Sequence, residues 1–156
     1  MDDKEIKRII DANLNRCREG LRVVEDALRF VLSDEIFYKE IRDIRHETDK
    51  ILRDKYAELI VCRDSIDDSG RKIPETLKKK LPEIIIANFK RAQESLRVLE
   101  EYGKIFEPEA SSKFKEQRYK IYNLEKSVYF KHIKVFAENE LKKGEKYDFN
   151  KRCSDK

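Results

Sequence analysis

The chain is expected to be all-α, an antiparallel four-helix bundle built from two duplicated helical hairpins. Three features of its 156 residues lead there. Apolar residues recur at helical spacing through most of the chain. The segment Ala12–Asp26 aligns without gaps to Ala87–Glu101, an offset of 75 with eight identities in fifteen positions. Only 4 Gly and 3 Pro leave too few turn residues for an all-β fold. A hairpin with one apolar stripe cannot bury it alone, so two such hairpins cover each other.

The elements follow in order. Ile6, Ile9, Ile10, Asn13, Cys17, Gly20, Leu21, Val24, Leu28 and Val31 recur at helical spacing on one face of a first helix. Ser33-Asp34 supplies a stop and then an N-cap. The second helix carries Ile36, Phe37, Ile41, Ile44, Thr48, Ile51, Leu52 and Tyr56, and ends near Leu59 to Val61. Each of these two is roughly 25 residues, or roughly 37 Å at 1.5 Å per residue. Arg63 to Arg71 is the longest polar loop. Pro74 opens a third helix, Pro82 kinks or restarts it, and it reaches about Ile105. Ser111 or Ser112 caps a fourth helix extending past Tyr129 toward Leu141. One domain is expected over residues 1–143, with repeat halves of about 4–61 and 74–143 and a flexible tail at 144–156.

Composition narrows the function classes. Charged residues make up 44% against 39% hydrophobic, enough apolar material for a core. No apolar run approaches the ~20 residues of a membrane span, and Met1-Asp2-Asp3-Lys4-Glu5 is no signal peptide. Cys17, Cys62 and Cys153 are odd in number and far apart, so neither a disulfide framework nor a zinc site is expected. A cytoplasmic protein follows. The net charge of +4 is too mild for a dedicated DNA binder, although residues 113–156 hold 13 basic and 7 acidic residues. No nucleic-acid or membrane partner is expected, and a homo-oligomer stays open.

The repeated residues carry the chemistry. Asn13, Cys17, Gly20 and Val24 share a sector of the first helix, as Asn88, Ala92, Ser95 and Leu99 do in the second copy. Such strips serve close packing with a satisfied amide, or edge a narrow cleft in which the amide meets a flat heterocycle. Arg22 and Arg97 lie away from the stripe, Arg16 and Arg91 nearer to it. They form either surface ladders with Glu19, Glu25 and Asp26 and their counterparts, or an anion site. Asp64, Asp67 and Asp68 ahead of Gly70 suit either an ordinary acidic turn or a Mg²⁺ held by one or two carboxylates. His46 and His132 are lone, and Lys78-Lys79-Lys80 is a solvated face. GxxxxGK[ST], GxGxxG and HExxH are all missing from the sequence, so a nucleotide would be held by arginines, helix N-termini and a metal.

Several longer motifs resemble one family. They are Asp-Ala-Asn-Leu-Asn-Arg-Cys-Arg-Glu-Gly-Leu-Arg-Val-Val-Glu-Asp at 11–26, Arg45-His46, Arg63-Asp64 through Asp68-Ser69-Gly70, Arg91 to Lys104, and Gln117 to Lys126. Together they look like the small all-helical hydroxymethylpyrimidine-phosphate kinase of thiamin biosynthesis, a domain often fused ahead of thiamin-phosphate synthase. Ser65 and Asp67 stand where that family is expected to have Thr and Gly. Nothing resembling the synthase follows residue 130, which points to a stand-alone form.

The resemblance implies transfer of the γ-phosphoryl group of ATP to 4-amino-5-hydroxymethyl-2-methylpyrimidine phosphate. The acceptor is a phosphate oxygen, so alignment and charge neutralisation dominate over base catalysis. It also implies roles. Asn13 and Asn88 contact the ring, Arg16, Arg22, Arg91 and Arg97 clamp phosphates with Arg45 and Arg118 beside them, and Asp64 with Asp68, or Glu25 with Glu100, hold Mg²⁺. The competing expectations are a non-catalytic helical module that binds a ligand or a protein, and an RNA binder using the basic end.

Overall fold

The computed structural model describes residues 3–66, 69–74, 77–78 and 80–142. Every regular element among them is helical. Helix α1 spans Asp3–Asp26 and continues through a π-helical turn, Ala27–Val31. Ser33 at φ 50° reverses the chain, and α2, Glu35–Lys50, starts where the Asp34 carboxylate accepts from the Phe37 N–H.

The second helix is broken where a continuous one was expected. It stops at Lys50, and a 3₁₀ turn, Arg53–Lys55, and the short α3, Tyr56–Ile60, carry the chain onward. Leu52 leaves helical geometry (φ −123°, ψ 29°), and this bend lets both Leu52 and Leu59 reach the core at 3% and 2% exposure. The third helix also begins later than expected. Helix α4 spans Leu81–Phe106, so Pro82 occupies its first turn and Pro74 lies outside it. A proline ring clashes with the preceding turn, which makes Pro82 a start and not a kink.

Helix α5, Pro108–Val128, begins directly after Glu107, with Pro108 at its first position. Ser111 does not cap it; its hydroxyl donates to the Glu100 carbonyl at 2.8 Å and ties α5 to α4. A second π-helical turn, Tyr129–Ile133, leads into α6, Lys134–Lys142.

The four long helices pack in a ring: α1 on α2 and α4, α5 on α4 and α2. The core between them includes Ile10, Leu21, Leu28, Ile41, Phe89, Leu96, Phe114 and Ile121, all fully buried. Gly20 sets the approach of α1 to α4. A Cβ there would lie 3.0 Å from the Asn88 carbonyl oxygen and 3.7 Å from the Arg91 Cβ. At the end of the ring Asp34 receives Lys131 and His132, each at 2.7 Å, and so joins the α1–α2 turn to the second π-helical turn. His132 is thereby a structural residue. Among the described residues no helix is long and apolar enough to cross a membrane.

Candidate functional site

The repeated acids and arginines form two matching clusters. Glu25, 1% exposed, accepts from Arg45 Nε at 2.6 Å and from Arg22 Nη1 at 3.0 Å. Glu100, 6% exposed, accepts from Arg118 Nη2 at 2.7 Å and from Arg97 Nη1 at 2.9 Å. Arg22 reaches on to Asp26, and Arg97 to Glu101.

Glu25 and Glu100 are expected as one of two alternative Mg²⁺ pairs, and the structure places arginines on both. Each carboxylate is already neutralised by two guanidinium groups, and a cation would have to displace them. Arg45 and Arg118 tie α2 to α1 and α5 to α4, while Arg22 and Arg97 bond within their own helices, as a surface ladder does, around the same buried acid. Arg118 also lies 5.2 Å from the Tyr119 ring and 5.5 Å from the Tyr122 ring.

A different set of residues faces open space. A groove of about 750 Å³ runs along α1 and is closed at one end by the chain after α3. It brings together Asn13, Arg16 and Asp64 from the expected set, with Arg8, Asp11 and Arg63 beside them. Arg8 Nη2 stands 3.8 Å from the Asp64 carboxylate. Asp11, 7% exposed, accepts two hydrogen bonds of 2.7 Å from Arg63 Nε and Nη2 and pins the loop to α1. Arg22 does not line this groove, and Arg97 lines a smaller one of about 340 Å³ with Lys90 and Tyr122.

The two asparagines behave alike. Asn13 Nδ2 donates to the Ile9 carbonyl at 2.9 Å and Asn88 Nδ2 to the Ile84 carbonyl at 2.8 Å. Each amide thus spends one N–H on its own helix and keeps its carbonyl oxygen as an acceptor. Arg91 sits on α4 beside Gly20, across the α1–α4 contact. Asp68 lies outside the described residues, so of the expected acidic pair Asp64 alone is placed.

Burial pushes the Cys17 thiol up to about 12, which removes it as a nucleophile. No group of three or more His, Cys, Asp or Glu among the described residues is arranged to hold a metal. Mg²⁺ in phosphoryl transfer takes one or two carboxylates plus phosphate oxygens, and Asp64, 40% exposed at the groove, fits that smaller demand. Sequence periodicity did not single out Asp11 and Arg63 as a pair. They are 52 residues apart, on a helix and in a loop, and only folding puts them in contact.

The fold is an all-helical domain with a polar groove on α1 lined by Arg8, Arg16 and Arg63. More specifically, the chain belongs to the ThiD2 family, whose model matches residues 8–127. It is 40% identical over 126 residues to a thiamine-phosphate synthase of Synechococcus sp. (strain CC9605), covering 79% of this chain and 35% of the relative. To the thiamine-phosphate synthase of Thermosynechococcus vestitus it is 38% identical over 130 residues, 81% of this chain and 36% of the relative. With that of Prochlorococcus marinus (strain AS9601) it shares 39% identity over 148 residues, 90% and 41% respectively. The chain therefore spans between a third and about two fifths of the length of these relatives. No solved structure matches it.

Proposed function

We propose that the chain acts in thiamin biosynthesis as a phosphotransferase, moving the γ-phosphoryl group of ATP onto 4-amino-5-hydroxymethyl-2-methylpyrimidine phosphate. The observation that carries this reading is the groove on α1. It is lined by Asn13, Arg16 and Asp64, all within the family-matched residues 8–127, which supports the reading. The matched relatives are named thiamine-phosphate synthases, which sets the reading within the same biosynthesis. In this reading the ring of four long helices is an antiparallel four-helix bundle made from one duplicated hairpin.

The reaction asks little covalent chemistry of the protein. Arg16 neutralises charge on the transferring group, and Asp64 would hold a Mg²⁺, which would supply further charge neutralisation at the phosphates. Asn13 offers its carbonyl oxygen to the groove. Arg91 and Asn88 hold the equivalent positions on α4 and give the second half a lesser part. The buried Glu25 and Glu100 clusters keep α1 against α2 and α4 against α5, so the groove wall stays in register.

The test is direct. Wild-type chain, ATP, Mg²⁺ and the pyrimidine monophosphate should yield the diphosphate, followed by phosphorus NMR, and chelation by EDTA should stop it. Absence of diphosphate with ATP, GTP and CTP alike would overturn the reading in favour of a non-catalytic ligand-binding module.

A further inference from the structure

Beside the groove lies a second, smaller, partly open cavity of about 170 Å³ between α1, the end of α2 and α3. The two share a wall made of Asp11, Asn15 and Arg63. A cavity of about 150 Å³ holds one benzene ring, so this one has room for a single six-membered ring and little else. Leu14, Leu52, Leu59 and Tyr56 give it apolar sides. Asn15 and five charged residues complete the lining, with Asp49 held by Arg18 at 3.1 Å and Arg53 at 3.5 Å. A slot with apolar sides, an amide and a carboxylate suits a heterocycle carrying an amino group and ring nitrogens.

Arg63 lines both the cavity and the groove. Its Nε and Nη2 are taken by Asp11, which leaves Nη1 and the second Nη2 hydrogen to donate elsewhere. A guanidinium held along one edge presents the other edge to an anion, and phosphate oxygens match its fork.

We infer that the small cavity is the subsite for the aminopyrimidine ring of the acceptor, and that Arg63, oriented by Asp11, binds the acceptor's phosphate at the wall the cavity shares with the groove. This rests on the function proposed above and deepens it. The ring then stacks inside the hairpin of the first half, while Arg16 and Asp64 face the phosphates in the larger groove. Arg63 is a binding residue, and Asp11 is a positioning residue that acts through it.

Calorimetric titration of the full chain with three probes separates the parts: free 4-amino-5-hydroxymethyl-2-methylpyrimidine, its phosphate, and inorganic phosphate. Asn15→Leu and the cavity-filling Leu14→Phe should each weaken the free ring and its phosphate at least tenfold. Arg63→Ala should weaken the phosphate ester and inorganic phosphate at least tenfold, with the free ring changed less than threefold. Asp11→Asn should raise KM for the ester at least fivefold at near-constant kcat, and should add nothing to Arg63→Ala.

Unchanged ring binding in both cavity variants, each checked for native helicity by circular dichroism, would overturn the subsite. Additive effects of Asp11→Asn and Arg63→Ala would overturn the positioning role. If wild type makes no diphosphate yet binds the ester in an Asn15- and Arg63-dependent way, the kinase reading fails and the subsite stands. If diphosphate forms and neither substitution moves KM, the reverse holds.

Discussion

Asp34 offers a test of the tie that closes the ring of helices. Its carboxylate is 5% exposed and serves three donors: Phe37 N at 3.1 Å, Lys131 Nζ and His132 Nε2. Burial alone would raise its pKa, but the hydrogen bonds from Lys131, His132 and the Phe37 N–H outweigh burial and hold it at about 2, against an ordinary 3.8. A carboxylate whose folded pKa is depressed stabilises the native state above its unfolded pKa and loses that contribution as pH falls through the folded one. The window is therefore from about pH 4 down to about pH 2.

At about 1.4 kcal/mol per pKa unit the effect is about 2 kcal/mol at neutral pH. Asn at this position still caps α2, so Asp34→Asn removes the charge and leaves the cap. Urea unfolding followed by circular dichroism at pH 7 should show a loss of about 2 kcal/mol, or about 4–8 °C in Tm. The gap between wild type and variant should shrink as pH drops from 4 toward 2. A gap of the same size at pH 7 and pH 2.5 would refute the argument, because the stabilisation would then owe nothing to ionisation.

Three other outcomes are expected. Gly20→Ala should destabilise by about 1 kcal/mol in the same assay: the new Cβ meets the Asn88 carbonyl oxygen at 3.0 Å, and overpacking costs about 1–3 kcal/mol against a helix-propensity gain of at most about 1. A net gain would show that α1 and α4 separate freely. Glu25→Ala and Glu100→Ala should each cost about 3 kcal/mol, since each strands a largely buried arginine, Arg45 or Arg118. Markedly unequal losses would argue against equivalent clusters in the two halves. Arg16→Ala should lower turnover at least roughly tenfold with an unchanged melting curve, whereas Arg22→Ala should change turnover less than about twofold; the opposite order would place the phosphate clamp at the ladders.

Much of the helical layout was legible in the sequence because helices are local. The 3.6-residue spacing predicts the buried face of α1, and Ile6, Ile10, Cys17, Leu21 and Val24 are buried, while Ile9 of the same face is only half-buried and Val31 at its end is exposed. The eight identities between Ala12–Asp26 and Ala87–Glu101 anticipate paired surroundings, and the matching bonds of Glu25 with Arg22 and Arg45 and of Glu100 with Arg97 and Arg118 are such a pair. The element starts were less legible. Pro82 fits either a kink or a first turn until its neighbours are placed, and the bend at Leu52 exists because two leucines must reach one core.

Sequence alone thus determined the helical class, the repeat and the short list of charged groups, all of which depend on spacing along a single helix. Tertiary structure decided which of those charges face one another. That Glu25 has an arginine partner twenty residues on, Arg45 at 2.6 Å, is visible only in the fold. Asp11 and Arg63 are ordinary charged residues until a buried carboxylate and a loop guanidinium meet across 52 positions. The physical reason is that a charge is defined by what surrounds it, and desolvation and pairing are set by neighbours that are distant along the chain.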